Sequence, residues 1–166
     1  LAELHRPLTA LDATILGCAN AVLVQARHLT DSPHGFVSEI DPVTGDMIGH
    51  TLTEMLQGQC AVEGEERRVV FPRGRDGRYG GLWGHALNTR EAFYSNAPQT
   101  HPACGGVPEG HLPLERFLAV PVLLDHEVVG LIALSNSGRE YAGRDLQAIG
   151  RLADFYALAI QRKRVE

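Results

Sequence analysis

The side chains best suited to holding a small molecule are concentrated between residues 83 and 117. They are the single tryptophan, three histidines, an asparagine, a cysteine, an arginine and a phenylalanine: Trp83, His85, Asn96, His101, Cys104, His111, Arg116 and Phe117. A small-ligand site requires an apolar, aromatic surface with several convergent polar groups. We therefore take these eight residues as the candidate ligand pocket.

Most of these residues also have a purely structural interpretation. Trp83 could fill a core beneath the loops, and Asn96 could satisfy loop backbone groups. His101 and His111 stand beside turn residues, where a solvated histidine is as natural as a ligand. Arg116 directly follows a glutamate, and an ordinary surface ion pair between these neighbours is simpler than an anion clamp. Both interpretations stay open at the level of sequence.

Residues for covalent catalysis do not form a recognisable pattern. The glycine-rich residues 74–80 do not lead from a strand into a helix with a Lys-Ser/Thr ending, so they are not a phosphate-binding loop. The three cysteines, Cys18, Cys60 and Cys104, are widely spaced and lack zinc-type spacing. An odd number without such spacing argues against a disulfide framework and for a reducing, cytoplasmic setting.

The composition fits one ordinary globular domain. The chain has 166 residues, of which 44% are hydrophobic and 21% charged, enough for a sizeable core. Its formal net charge is −5 without a basic stripe, so we expect no nucleic-acid partner. No run is long enough to predict a membrane span or a signal peptide. Because the sequence begins Leu-Ala-Glu rather than with methionine, we interpret it as a piece of a longer protein.

Two short apolar runs predict the centre of the fold. Residues 117–136 contain two stretches rich in Val, Leu and Ile, separated by a short polar interval. Each is too short for an exposed helix, and the interval allows only a hairpin, so the pair is antiparallel. Both strands are apolar on both faces, which predicts that both faces are covered.

Long amphipathic helices are predicted on either side of this hairpin. Apolar residues recur at alternating steps of three and four across residues 4–29 and again across 146–160, which is helical spacing. The simpler interpretation is that both helices pack on one face of the sheet. The alternative is that their heptad-like seams continue into a dimeric coiled coil.

The remaining segments complete an α+β order. We predict a short helix at 81–89 and strands at 36–40, 47–55, 68–71 and 92–96. The rest of residues 57–82 is interpreted as a mobile loop over the pocket, and 97–114 as an irregular connection with one helical turn. The predicted fold is a predominantly antiparallel sheet with the long helices on one face and loops on the other.

Six segments in a fixed order resemble the GAF domain family, the small-molecule-binding and signalling modules of bacterial sensor proteins. They are Gly35-Phe36-Val37 with Asp41, Gly81-Leu82-Trp83-Gly84-His85-Ala86, Pro108-Glu109-Gly110-His111, Phe117-Leu118-Ala119-Val120-Pro121-Val122, Val128-Val129-Gly130-Leu131-Ile132-Ala133-Leu134-Ser135-Asn136 and Asp145-Leu146. They cover roughly 10–162 of a single domain expected over 1–166. The resemblance implies a profilin-like, six-stranded antiparallel sheet with terminal helices on one face and a loop-covered pocket on the other. Ala142 departs from it, since family members usually carry Ser or Thr there, and this should weaken the start of the last helix.

Features of particular family members narrow the ligand. Bilin-binding members carry an attachment cysteine just before the histidine that corresponds to His111. Gly110 stands there in this chain, so we expect no covalently attached chromophore. The Asn-Lys-Phe-Asp-type signature of cyclic-nucleotide binders is absent. A single axial histidine leaves no spacing signal, so haem ligation by one of the eight histidines stays open. The cofactor is therefore unknown.

One enzymatic alternative exists within the same family. Free methionine-sulfoxide reductase uses a low-pKa thiolate with a second cysteine in reach. Cys60 and Cys104 fall roughly where two of its thiols would stand. The Gly-Val-Cys-Gly core of those enzymes corresponds here to Gly81-Leu82-Trp83-Gly84, with tryptophan in place of cysteine. The resemblance therefore favours a domain without catalysis of its own.

The resemblance implies a cytoplasmic sensory domain of a bacterial signal-transduction protein. A small molecule would bind in front of the sheet, order the 57–82 loop and shift the packing of the terminal helices. Those helices would form a homodimer and pass the signal to an output module in the same chain, such as a histidine kinase or diguanylate cyclase. The alternative is a dimerisation scaffold that binds no ligand.

Overall fold

The computed structural model describes residues 15–52, 69–104 and 113–165. Within these ranges the chain forms three α-helices, six β-strands and one 3-10 turn. They are α1 (Ile15–Thr30), β1 (His34–Ile40), β2 (Met47–Leu52), β3 (Val69–Phe71), α2 (Gly81–Thr89), β4 (Phe93–Ser95), the 3-10 turn (Pro98–Thr100), β5 (Phe117–Leu124), β6 (Glu127–Ser135) and α3 (Gly143–Val165). Each predicted element is confirmed in its described part. The predicted helix before residue 15 and the strand beyond residue 52 lie outside the described residues.

All six strands form one antiparallel sheet, in the order β3-β2-β1-β6-β5-β4. β1 and β6 lie at its centre. β5 and β6 are joined by a two-residue turn, Asp125 and His126, with φ of 49° and 69°. Two positive φ values define a type I′ turn, whose twist matches that of antiparallel strands. The predicted hairpin is thus confirmed, with β6 in the middle of the sheet and β5 beside it.

Both faces of the sheet are covered, as the apolar hairpin predicts. On the back face, Leu118 and Val120 of β5 belong to a core shared with α1 and α3. On the front face, the alternate residues Phe117 and Ala119 pack in a second core with α2 and side chains of the loops. The domain is therefore three layers deep, with two long helices behind the sheet and α2 and the connecting segments in front.

The apolar stripes of the long helices are used in the domain's own core. Cys18 and Val22 of α1 are 4% and 2% exposed, and Ile149 and Tyr156 of α3 are fully buried. For the described residues, the simpler interpretation of both patterns holds, because these side chains pack on the sheet. The predicted coiled-coil dimer is not shown and stays a prediction. None of the described helices combines the length and the apolar character needed to cross a membrane.

The start of α3 is capped by a carboxylate rather than a hydroxyl. Oδ2 of Asp145 accepts a hydrogen bond from the backbone N–H of Ala142 at 2.8 Å, as the third residue of a capping box does. Both of its carboxylate oxygens also bind Arg139, at 2.8 and 2.9 Å. The hydrogen-bonded Arg139 holds the pKa of Asp145 below its ordinary value, although burial opposes this. Asp145 thus supplies one half of a capping box, and the expectation that Ala142 weakens the helix start stays a prediction.

The other end of α3 is fastened to β1 by buried charge. The carboxylate of Glu39 is 4% exposed and accepts hydrogen bonds from Nζ of Lys163 at 2.7 Å and Nε2 of His50 at 2.9 Å. Next to it, Arg164 donates to the carbonyl of Ile40 at 3.2 Å. Burial raises the pKa of Glu39, but the hydrogen bonds from His50 and Lys163 more than offset it, so its pKa lies below the ordinary value. Two successive residues of the last turn are therefore attached to one strand.

We expect Glu39→Gln to lower the free energy of unfolding by about 1–3 kcal/mol and to loosen the last turn of α3. Both donors bind the same oxygen, Oε1, and the neutral amide oxygen accepts from them more weakly than a carboxylate does. Chemical denaturation and hydrogen exchange in residues 160–165 measure both effects. Glu91→Gln, at an exposed position, is the matched control. Wild-type exchange in the last turn of Glu39→Gln would contradict this role.

The hydroxyl of Tyr156 is buried in the back core, where no described residue hydrogen-bonds to it. A buried, unpaired hydroxyl costs stability, so we expect Tyr156→Phe to raise the free energy of unfolding by about 1 kcal/mol. Urea denaturation measures this change, with Tyr94→Phe, at a position 37% exposed, as the neutral control. A clear loss of stability in Tyr156→Phe would contradict it.

The predicted mobile loop is well hydrogen-bonded in its described part. In residues 72–80, the backbone of Tyr79 exchanges two hydrogen bonds with the side chain of Asn88, at 2.9 and 2.7 Å. The backbone N–H of Arg73 donates to Asp46 at 2.9 Å. This segment, named the 72–80 turn, is thus attached to α2 and to the β1–β2 connection. The earlier half of the predicted loop lies outside the described residues, so a lid there stays a prediction.

Candidate functional site

The front face of the sheet carries two groups of aromatic rings. The tryptophan cluster consists of Phe36, Phe71, Tyr79 and Trp83. The histidine cluster consists of His85, Phe93, His101 and Phe117. Helix α2 contributes one residue to each cluster. Residues two apart on a helix do not face each other, so α2 separates the two groups.

The tryptophan cluster lies beneath the 72–80 turn. The ring of Trp83 is centred 5.1 Å from Phe71 and 6.1 Å from Tyr79. Phe71 is in turn 5.8 Å from Phe36. Trp83 is half-buried and packs on the front core. These contacts are those of a core-filling side chain, the structural interpretation that the sequence had left open for this residue.

The histidine cluster brings together three of the predicted pocket residues. The ring of His85 is centred 4.9 Å from both Phe93 and His101, and Phe93 is 5.8 Å from Phe117. The four rings come from α2, β4, the residue after the 3-10 turn and the start of β5. Phe93 lies at their centre and was not predicted as a site residue. Phe93 reaches this position because β4 pairs with β5, a pairing that places Ser95 opposite Phe117.

The two histidines offer polar atoms beside this apolar surface. Nδ1 of His101 accepts the backbone N–H of Ala103 at 3.0 Å, so a neutral ring carries its proton on Nε2. Among the described residues, no other group hydrogen-bonds to Nε2 of His101 or to the ring nitrogens of His85. Both rings are half-buried. The cluster therefore combines an aromatic surface with the polar ring atoms of two half-buried histidines.

Cys104 lies next to this cluster. Its backbone N–H donates to the carbonyl of His101 at 2.9 Å, and its free, half-buried thiol packs on the front core. Two residues predicted beside it, His111 and Cys60, lie outside the described residues. In the ranges that the structure describes, no group of three or more His, Cys, Asp or Glu residues could hold a metal ion.

Asn96 does not join the histidine cluster. Its side-chain amide donates to the carbonyl of Tyr141 at 3.1 Å and accepts the N–H of the same residue at 2.9 Å. The hydroxyl of Tyr141 hydrogen-bonds with Ser32 at 2.7 Å, and Ser32 with Thr30 at 2.7 Å. Asn96 therefore ties the segment that carries His101 to the place where α1 ends and α3 begins.

Arg116 braces the turn between β6 and α3. Its guanidinium donates to the carbonyl of Ser137 at 2.9 Å, and its Nε is buried with no partner among the described residues. No ion pair forms with Glu115 within the described ranges. The simple surface pair expected from the sequence is wrong, because the side chain turns toward this connection instead.

Comparisons with known proteins agree with the architecture. A family model described as GAF domain matches residues 12–161 of this chain. Among solved structures, the GAF domain of a phosphoenolpyruvate-protein phosphotransferase from Coxiella burnetii superposes with a TM-score of 0.77 at 18% identity, covering 99% of this chain and 92% of that one. A methyl-accepting chemotaxis protein, residues 122 to 287, gives a TM-score of 0.74 at 15% identity, covering 98% and 96%.

An enzyme of the same fold is also similar. Free methionine-R-sulfoxide reductase from Neisseria meningitidis superposes with a TM-score of 0.71 at 13% identity, covering 98% of this chain and 89% of that one. At such identities the structural likeness establishes the fold alone. The family match, however, spans most of the sequence, and the six-stranded sheet with helices behind it is the fold that the resemblance implies. The chain belongs to the GAF domain family.

Proposed function

We propose that this GAF domain is the sensory module of a bacterial signalling protein and binds a small molecule at the histidine cluster. The observation that carries this proposal is the convergence of His85 and His101 around Phe93, with ring nitrogens that, apart from Nδ1 of His101, bond to no described residue. Cys104, beside His101, would line the same site. Trp83, Asn96 and Arg116 would support it from outside.

The relay to the rest of the protein would run through Asn96. A ligand that contacts His101 changes the preferred position of residues 96–104. Asn96 passes that change to Tyr141, which hydrogen-bonds to Ser32 at the end of α1 and precedes α3. The ligand shifts the helix ends only by its difference in affinity for the two arrangements. The output module would be in the same chain, for instance a histidine kinase or diguanylate cyclase in the cytoplasm.

A thermal-shift screen of metabolites, flavins and haem tests this site. We expect a compound that raises the melting temperature of the wild type to lose its effect on His101→Phe. That change removes both ring nitrogens but keeps an aromatic ring for stacking. Because the stacking is kept, the unliganded protein should melt within a few degrees of wild type. His28→Phe, at an exposed position on α1, is the control. A ligand shift that persists in His101→Phe would contradict the proposal.

Trp83→Ala is a poor probe of the same question. Removing a half-buried tryptophan from a ring cluster costs about 2–4 kcal/mol through lost packing alone. A lost ligand shift in that variant would therefore report an unstable fold as readily as a lost site. The histidine variant separates the two effects.

A dimerisation scaffold is the second candidate, and exposed apolar side chains favour it. Leu16 and Val24 on α1 and Leu158 on α3 are 43%, 63% and 53% exposed. Both helices lie behind the sheet, where a second copy would cover these residues. Light scattering at increasing protein concentration tests this: a dimer with no ligand-induced melting shift would favour the scaffold, and a monomer at all concentrations would contradict it.

A reductase finds no support among the described thiols. Cys18 packs in the back core and Cys104 on the front core, so the sheet separates them. Burial also raises the pKa of the Cys18 thiol, which makes it a poor nucleophile. Position 83, where the resemblance expects cysteine, holds a tryptophan packed on Phe71.

A further inference from the structure

A groove apart from the histidine cluster is lined by arginines. It encloses about 330 Å³ between the β1–β2 connection, the 72–80 turn, the end of α2 and the last turn of α3. The charged side chains that line it are Arg73, Arg78, Arg90, Arg164, Asp41 and Glu127, and no residue of the histidine cluster is among its lining. We call it the arginine groove. It lies at the Leu124 end of β5, whereas the histidine cluster lies at the Phe117 end.

The groove is positive in an acidic protein. Four arginines and two carboxylates give its lining a formal charge of +2, while the whole chain carries −5. The three ion pairs among the described residues include none of these arginines. Arg73 and Arg164 donate instead to the backbone carbonyls of Gly77 and Ile40. Guanidinium groups that form no ion pair with a described residue, gathered on a concave surface, focus a potential that attracts anions.

The turns around Arg73 fix the position of its side chain. A Cβ on Gly45 would lie 2.9 Å from the Arg73 side chain, and one on Gly77 would lie 3.2 Å from it. Both glycines have positive φ, 77° and 79°, a conformation that side chains with a Cβ rarely adopt. The Tyr79 hydroxyl also donates to the carbonyl of Gly45. The two turns therefore leave a slot that this side chain occupies before any ligand arrives.

Arg90 stands at a position where the backbone favours glycine. It follows the last residue of α2 with φ of 60° and ψ of 26°, the left-handed conformation. Glycine is the usual residue there because it has no Cβ to clash. Strained residues cluster at functional sites, where the side chain has a use that outweighs the strain. Arg90 is one of the four arginines that line the groove.

We propose that the arginine groove binds a small organic anion that carries two or more phosphate or carboxylate groups. Its volume falls at the lower end of the range for small-molecule sites, about 300–1,000 Å³. Arginine presents paired N–H donors that match both kinds of oxyanion. Four guanidinium groups on three separate segments suit more than one anionic group. This inference is independent of the histidine cluster.

Such a ligand would also restrain the end of α3. Arg164 lies in its last turn, while Arg78 and Arg90 belong to the front layer. An anion held by all three joins the front layer to the helix that leads out of the domain. Binding should therefore slow hydrogen exchange in residues 161–165.

Titration calorimetry at about 0.15 M salt tests the site, with sodium pyrophosphate and sodium citrate as separate probes. We expect at least one to bind the wild type with millimolar affinity or better. Arg78→Ala and Arg90→Gly should each weaken binding at least tenfold. Arg151→Ala is the matched control: it removes the same charge from an exposed position on α3, about 20 Å before Arg164. Tighter binding of pyrophosphate would identify a phosphate ligand, and tighter binding of citrate a carboxylate ligand.

Arg90→Gly separates binding from folding. If Arg90 is kept for a ligand, the glycine variant binds the anion poorly but melts at the same or a higher temperature than wild type. A lower melting temperature would show a structural role and contradict the assignment of Arg90. Binding of neither probe, or an equal loss in Arg151→Ala, would overturn the proposal.

Discussion

Asp145→Ala should lower the free energy of unfolding by about 3 kcal/mol. The variant loses the hydrogen bond to the N–H of Ala142 and both bonds to Arg139. Chemical denaturation measures the loss. Asp154→Ala, an exposed aspartate on the same helix, should change stability little, and equal effects of the two changes would contradict the capping role.

The same carboxylate should make the domain sensitive to acid. The pKa of Asp145 is lower in the folded protein than its ordinary value, because Arg139 hydrogen-bonds to the charged form. The stability that this contributes is fully present above the unfolded value of about 3.9 and is lost as the pH falls through the lower folded value. The melting temperature of the wild type should therefore fall more steeply below about pH 4 than that of Asp145→Ala.

Asn96→Ala should lower the free energy of unfolding by about 2 kcal/mol. The variant leaves the backbone N–H and C=O of Tyr141 without the partners that Asn96 provides. It should also uncouple the segment that carries His101 from the helix ends. Ligand binding at the histidine cluster would then persist but no longer change hydrogen exchange at the start of α3.

The control for this second prediction is Asn20→Ala, at an exposed position on α1. It should change neither stability nor the exchange of α3. Wild-type ligand-dependent exchange at the start of α3 in Asn96→Ala would show that the relay takes another route.

The fold was largely predictable because its centre is encoded locally. The apolar runs of β5 and β6 have no polar face, so the hairpin has to be covered on both sides. Apolar residues recur along the long helices with a period of about 3.6 residues, and these residues form the buried face of each helix. The cap of α3 was missed for an instructive reason. The expected hydroxyl at 142 would accept an N–H of the first turn, whereas the carboxylate of Asp145 accepts the N–H of residue 142 itself.

The sequence predicted which residues could belong to the candidate site, but not which of them contact one another. His85 and His101 meet only because α2 and the segment after the 3-10 turn both lie over β4 and β5. Asn96 and Arg116 are polar residues of the same stretch, but their partners, Tyr141 and Ser137, lie on the connection that leads to α3. Such long-range partners leave no spacing signal in the sequence.

The arginine groove was even less predictable from the sequence than the histidine cluster. Arg73 and Arg78 fall in the segment predicted as a mobile loop, and no pattern in the sequence places Arg90 or Arg164 beside them. Their convergence depends on the sheet order and on the turn at Gly45 and Gly77. The strongest local sign of the groove is the left-handed φ of Arg90, which is visible in the structure but not in the sequence.

Native mass spectrometry of the protein purified from its own host tests the central claim most directly. The claim is that the histidine cluster holds a small molecule. It predicts an additional non-covalent mass on the wild type that is absent from the His85→Leu/His101→Phe double variant and retained by His28→Phe. A bare polypeptide mass in the wild type, with no compound recovered on denaturation, or an unchanged extra mass in the double variant, would contradict it.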